Sequence, residues 1–247
     1  MEMQEIIIKS TLDGENQPIL FYGASKPNRP LLVGLHTWSF DRFNQIDNLL
    51  PLVKKHDFNL LLPEFRGANV LTNPNCKKAC GSKYVVQDVK DAIDYCVSNL
   101  QVDANNIFMI GCSGGGQVAL LVGAKFPQLF ASVSAFVPVC DLVKWLDSEY
   151  KPLIEGCCET KEEMINRSPI TYIDGLAKAN VKIFHGKHDS VVPVTQSIEL
   201  YSKLIQKHPN AKVYLDIFDG GHQLDLTLAE HWIISQYKKK QSVTVTG

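Results

Sequence analysis

Gly111-Cys112-Ser113-Gly114-Gly115 is the stretch that most restricts how this chain can fold. It follows the apolar run Ile107-Phe108-Met109-Ile110 and leads through Gly116 and Gln117 into Val118-Ala119-Leu120-Leu121-Val122. A buried strand must therefore hand over to a helix across a very short turn. The pattern fits G-x-S-x-G, the nucleophile elbow, in which the flanking positions have no room for side chains and the serine is held strained. That strain lifts the hydroxyl above the sheet edge, at a helix N-terminus whose dipole and free N–H groups favour an anion.

A serine hydroxyl needs a base to take its proton and a third group to orient that base. In a strand–elbow–helix setting the chain order is serine, then Asp or Glu, then His. Val181-Lys182-Ile183-Phe184-His185-Gly186-Lys187-His188-Asp189 reads as a strand running into a turn with an acid, and Val213 to Phe218 as a further strand. The loop Asp219-Gly220-Gly221-His222 follows, and its two glycines let an imidazole swing over the sheet. Ser113, Asp189 and His222 each fall after a strand, where open α/β sheets place their sites. Asp141, after the run Ala135 to Val139, is the alternative acid, and Asp189 is preferred because the turn Ser190-Val191-Val192-Pro193 follows it. His188 is an alternative base. His185 reads as a packed or hydrogen-bonded structural residue, His36 as a loop organiser, and His56, His208 and His231 as surface residues.

With 247 residues, 45% of them hydrophobic and 21% charged, the chain suits one α/β domain spanning residues 1–247. Lys and Arg number 25 against 26 acids, a net charge of -1, so neither nucleic acid nor an anionic membrane is expected as partner. The basic Lys238-Lys239-Lys240 reads as the end of a helix, complementing its dipole. The first residues are acidic and the apolar run after them is three isoleucines, which is neither a secretory signal nor a membrane span. Seven cysteines without metal-ligand grouping read as reduced thiols in the cytoplasm, with a Cys76–Cys80 disulfide as the alternative. No metal or organic cofactor is expected.

Two opening strands, Glu5 to Ser10 and Pro18 to Tyr22, flank the turn Asp13-Gly14. The run Leu31 to Leu35 reads as a strand covered on both faces. A helix from about Asp41 to Lys55 follows, with Phe43, Ile46, Leu49, Leu50 and Val53 on one face. Asn59 to Leu62, a polar loop to about Lys83, an amphipathic helix marked by Val85, Val89, Ala92, Ile93, Cys96 and Val97, and then the elbow come next. A strand near Ser132 to Val139 and a helix beginning at Asp141 complete the middle of the chain. Alternating strands and helices give a mostly parallel central sheet of about eight strands with helices on both faces. The interval 141–180 is long enough for a small helical cap.

Phe65-Arg66-Gly67, Asp88-Val89, Asp91-Ala92-Ile93-Asp94-Tyr95, Arg167-Ser168-Pro169 and His185-Gly186-Lys187-His188-Asp189-Ser190-Val191-Val192-Pro193 stand around the elbow in this order. With these motifs the chain resembles the α/β hydrolases and, within them, the catalytic domain of the prolyl oligopeptidase family, from about Leu31 to about His231. The resemblance implies Ser113 as nucleophile, Asp189 as acid and His222 as base, in agreement with chain order. Peptidases of that family usually carry a propeller domain first. Here the hydrolase part begins within the first few dozen residues, so a domain without that size filter is expected. The usual His-Gly-Gly-Pro after the third strand is replaced by His36-Thr37-Trp38-Ser39. One oxyanion donor is expected to be Gly114 N–H and the other Trp38 N–H, with Thr37 as alternate.

Two-step acyl transfer follows. Carboxylic esters are the first substrate class, since their leaving groups need less help than amines. A small oligopeptidase or aminopeptidase acting on short peptides is the second; it needs a carboxylate such as Glu64, Glu149 or Glu155 to hold a substrate amine. A non-catalytic binding module on the same fold is disfavoured by the intact triad. Thr37, Trp145 and Tyr150 are candidate substrate-binding residues and Trp38 a candidate wall of the acyl pocket, though core packing explains Trp38 and helix burial Trp145 and Tyr150 equally well.

Overall fold

The computed structural model describes residues 2–245. Eight strands form one sheet: β1 (Gln4–Lys9), β2 (Asn16–Tyr22), β3 (Arg29–Leu35), β4 (Asn59–Pro63), β5 (Val102–Cys112), β6 (Ser132–Phe136), β7 (Val181–Gly186) and β8 (Val213–Phe218). Their order is β1-β2-β4-β3-β5-β6-β7-β8. β1 and β2 pair antiparallel and β2 joins β4 antiparallel, whereas every pairing from β4 to β8 is parallel. The eight mostly parallel strands match the expectation from alternating elements.

Strand alternation sorts the core into two layers. Leu31, Val33, Leu35, Ile107 and Met109 point into one cluster, closed by α2 (Lys83–Asn99), α3 (Gly114–Lys125) and α7 (Thr195–Lys207). Leu32, Phe108 and Ile110 point into the other, closed by α1 (Ile46–His56) and α8 (Leu226–Val245). Side chains of successive strand residues take opposite faces, so a strand with helices on both sides must be apolar throughout. α2 begins where the Ser82 side chain accepts from Tyr84 N and Val85 N. α3 buries ten consecutive residues, Gly114 to Gly123, so the elbow opens into the most enclosed helix of the fold.

Three readings of the sequence are corrected. The first helix starts at Ile46 rather than near Asp41, since 41–45 form turns, and Phe43 is exposed with Arg42 over its ring. Asp141 does not begin an α-helix; a 3-10 turn at Lys144–Asp147 stands there instead. Lys238-Lys239-Lys240 lie inside α8 rather than at its end, which removes the dipole argument. The segment between β6 and β7 is helical, with α4 (Lys151–Cys157), α5 (Lys161–Asn166) and α6 (Ile173–Leu176). A third apolar cluster joins it to the loop after β3: Trp38, Cys80, Trp145, Ile154, Cys157 and Cys158 pack together. All seven cysteines are free; Cys80 Sγ lies 4.0 Å from Cys158 Sγ rather than bonded to Cys76. Among the described residues, no helix is long and apolar enough to cross a membrane.

Arg66 locks the loops at the end of β4. Its side chain is fully buried and bonds Asp88 at 2.5 Å, Asp13 at 2.9 Å and Glu15 at 2.7 Å, with Ser10 Oγ at 2.9 Å. Burial pushes the Asp88 carboxyl up despite the guanidinium, whereas the hydrogen bond from Arg66 holds Asp13 down. Removing one partner of such a cluster leaves buried charge unpaired. Arg66→Met should therefore cost about 3–5 kcal/mol, read as a loss of denaturant midpoint at constant slope. A change under about 1 kcal/mol would mean that water takes over the role of the guanidinium.

Candidate active site

The elbow is built as its glycines require. Ser113 has φ 57° and ψ −120°, a sparsely populated conformation that costs about 1–3 kcal/mol. A Cβ on Gly111 would lie 2.1 Å from Gly115 O, so the turn admits no side chain there. The Ser113 N–H donates to Phe136 O at 2.9 Å, tying the elbow to the end of β6. No side chain caps α3, which leaves its first N–H groups free of partners within the helix. Among the described residues, the Ser113 hydroxyl makes no hydrogen bond.

The loops after β7 and β8 lie against one another because the ladder continues past both strands. Lys187 N–H donates to Phe218 O and His188 N–H to Gly220 O, both at 2.9 Å. His188 and Asp219 add an exposed pair at 3.0 Å between the two loops. This juxtaposition brings His222 Nδ1 to 2.8 Å from Asp189 Oδ2. The other carboxylate oxygen accepts from Val191 N at 2.8 Å and Val192 N at 2.9 Å. Burial alone would raise the Asp189 carboxyl. Hydrogen bonds from His185, His222 and the two backbone N–H groups outweigh it and hold the group well below the usual carboxylate range. Cys112, next to Ser113, is pushed up to about 12 by burial, with the Asp189 charge adding to it. The Asp189 charge is thus felt at the residue before Ser113.

His222 and Asp189 are joined directly, whereas no hydrogen bond joins Ser113 Oγ to His222 among the described residues. Bonds of this kind are often long in unliganded enzymes and tighten with substrate. Asp141 is engaged elsewhere: its Oδ1 accepts from Val143 N at 3.0 Å and Lys144 N at 3.2 Å. His188 faces Asp219 rather than Asp189.

The loop after β3 approaches the elbow closely. A Cβ on Gly114 would stand 2.9 Å from Trp38 Cα and 3.0 Å from Trp38 N, so only glycine allows this contact. Thr37 N–H is already used, donating to Asn44 Oδ1 at 3.0 Å. Trp38 N–H has no acceptor among the described residues. His36 is buried between Thr37 O and Glu64 O, 2.9 Å from each, and stacks on Phe65 at 3.8 Å. It is the loop organiser that its place at the strand end suggests. The Trp38 ring is buried edge-on to Trp145 at 5.1 Å and Tyr150 at 6.4 Å, and Trp145 Nε1 donates to Val191 O at 3.1 Å.

One contributor escapes a reading of the sequence: Asn44 decides which backbone N–H of the loop stays free, and no motif marks it. His185 is the packed, hydrogen-bonded residue that its place at a strand end suggests, and its Nε2 also lies 3.3 Å from Asp189 Oδ2.

The model of a family described as the prolyl oligopeptidase family matches residues 48–241. Among curated proteins, esterase LipC of Mycobacterium tuberculosis is 28% identical over 167 residues, covering 57% of this chain and 41% of that protein. Among solved structures, a puromycin-hydrolysing peptidase of Mycobacterium tuberculosis has a TM-score of 0.76 at 15% identity, over 94% of this chain and 37% of that one. S-formylglutathione hydrolase (FrmB) of Staphylococcus aureus has a TM-score of 0.70 at 16% identity, over 96% and 99% of the two chains. The chain thus spans less than half of the esterase and of the peptidase. The structural likenesses are ones of fold, and the fold is that of the α/β hydrolases.

Proposed function

Since this chain belongs to the prolyl oligopeptidase family, we propose that it is a serine hydrolase that cleaves carboxylic esters through an acyl-enzyme on Ser113. The observation that carries the reading is the 2.8 Å bond between His222 Nδ1 and Asp189 Oδ2, on the sheet edge where the strained Ser113 stands. An ionised Asp189 can only accept, so Nδ1 carries a proton and Nε2 is the nitrogen left to take one. His222 Nε2 removes the Ser113 proton as the oxygen attacks the ester carbonyl. The imidazolium then returns that proton to the leaving alkoxide as the C–O bond breaks. Water, deprotonated by the same nitrogen, attacks the acyl-enzyme and releases the acid and the Ser113 hydroxyl.

The developing oxyanion is met by Gly114 N–H and Trp38 N–H. Their proximity supports this assignment, as does the engagement of Thr37 N–H by Asn44. In this reading the whole chain is one hydrolase domain and the helical segment 141–180 its small cap. That cap sets Trp145 and Tyr150 against Trp38 as one wall of the acyl side. Seven free thiols support a reducing compartment such as the cytoplasm.

Peptide cleavage is the second reading, favoured by the peptidase among the structural relatives. An aminopeptidase needs a free carboxylate for the substrate amine. Glu64 is neutralised by Arg42 at 2.8 Å and Glu155 faces Lys151 at 3.9 Å. Glu149 borders a groove of about 710 Å³ beside Trp145 and Val191 and is the carboxylate left for that role.

Nitrophenyl esters of graded acyl length, run beside aminoacyl and prolyl nitroanilides, separate the two readings. Ester turnover without anilide turnover is the expected result. Anilide turnover lost in Glu149→Gln would replace the ester reading by the peptidase one.

A further inference from the structure

Asp189 has a second imidazole against it that the mechanism above does not use. His185, at the end of β7, is completely buried. Its Nε2 lies 2.9 Å from Val192 O and 3.3 Å from Asp189 Oδ2, while its Nδ1 lies 2.7 Å from Ser197 Oγ on α7. Val192 O and an ionised carboxylate are both acceptors, so the ring proton sits on Nε2. Nδ1 then presents a lone pair, which the Ser197 hydroxyl fills as donor. Both ring nitrogens then have partners, which a buried imidazole requires.

We propose that His185 is a positioning residue for the catalytic acid: held in place by Ser197 and Val192 O, it sets its Nε2 3.3 Å from Asp189 Oδ2 as a second electrostatic arm opposite His222. The inference rests on the proposed reading of Asp189 as acid and His222 as base. Oδ1 is held by Val191 N–H and Val192 N–H, and on Oδ2 the bond to His222 is joined by the nearby His185 Nε2, which opposes rotation of the carboxylate. The second arm also divides the charge of Oδ2 between two rings, which limits how strongly that oxygen stabilises the His222 imidazolium. His185 from β7 and His222 from the loop after β8 approach Asp189 directly, and its charge also raises the buried Cys112 thiol of β5. The exposed His188–Asp219 pair on the neighbouring loops is common to every variant below.

The test is the pH profile of kcat/KM on whichever nitrophenyl ester turns over best, with kcat and KM resolved and melting temperature measured in parallel. His185→Leu removes the donor at similar bulk. His185→Gln carries an amide N–H toward the place of Nε2. Loss of this second arm on a charged group should lower kcat about 10- to 100-fold in the leucine variant, with KM nearly unchanged. Its acid limb should move to higher pH, because an unshared Oδ2 holds the His222 proton more tightly. The glutamine variant should recover most of both. Ser197→Ala should move the limb the same way by less, and Ser197→Thr, which keeps the hydroxyl, should restore it.

A folded His185→Leu enzyme with the wild-type limb and kcat overturns the proposal. So does a glutamine variant as impaired as leucine with its limb unmoved, the mark of a purely structural role. If His185→Leu does not fold, the Ser197 pair decides by the same limb. Ser113→Ala in the same assay keeps the two readings apart. Turnover retained there overturns the acyl-enzyme reading itself, whereas its loss beside an unmoved limb overturns only the second arm.

Discussion

Ser113→Ala should lower kcat toward the best ester by about a million-fold while the melting temperature stays within a few degrees. The size of the kinetic loss follows from the reading of Ser113 as the atom that forms the acyl-enzyme: without it, His222 and Asp189 have no partner to activate. What remains over the uncatalysed rate, about 10³- to 10⁴-fold, would come from the oxyanion donors and from binding. The small effect on stability follows from the structure. The Ser113 hydroxyl bonds to no protein group among the described residues, so its removal orphans nothing. Alanine at φ 57° and ψ −120° is as strained as serine, so no strain is released either. Steady-state turnover and a thermal melt of the same preparation check both halves. A folded Ser113→Ala protein that still turns over ester would move the chemistry to another residue.

The parts of this fold that local pattern dictates are legible in the chain. Apolar runs such as Leu31 to Leu35 and Ile107 to Ile110 become central strands because both of their faces are covered. Chain order points to residues from three loops, and the parallel sheet delivers all of them to one edge. Errors arise where the pattern is ambiguous at element ends. Phe43 keeps the helical spacing of Ile46 and Leu49, but the chain turns at 41–45 and leaves it exposed. Asp141 has the look of a helix start and caps only a short turn, since its Oδ1 takes Val143 N and Lys144 N.

Contacts between residues distant in sequence are illegible for a different reason. Asn44 on Thr37 N–H and Ser197 behind His185 depend on how loops and helices settle against the sheet, and no local period records that. Of the two candidate acids, only Asp189 meets a histidine once the loops are in place. Asp189 is buried and holds His222, whereas Asp141 is committed to its own turn.

Asp189→Asn should therefore cut kcat about ten-thousandfold with little change in KM, while Asp141→Asn stays within a few-fold of the parent. In the asparagine variant the amide oxygen can keep the bonds from Val191 N–H and Val192 N–H. The NH₂ group then takes the place of Oδ2 and points donors at His222 Nδ1–H and at His185 Nε2–H. Two donors cannot face each other, so His222 is driven to the tautomer with its proton on Nε2. That nitrogen can no longer accept from Ser113, and the buried negative charge that stabilises the imidazolium is gone as well. Neither change touches Gly114 N–H or Trp38 N–H, the proposed oxyanion donors, so in this reading binding of the ester should be preserved and the loss should fall on kcat. Asp141→Asn keeps an Oδ1 acceptor for Val143 N–H and Lys144 N–H and so disturbs neither the turn nor the triad. The reverse ranking of the two variants would transfer the role of acid to Asp141, and with it the second imidazole arm on Asp189 would lose its purpose.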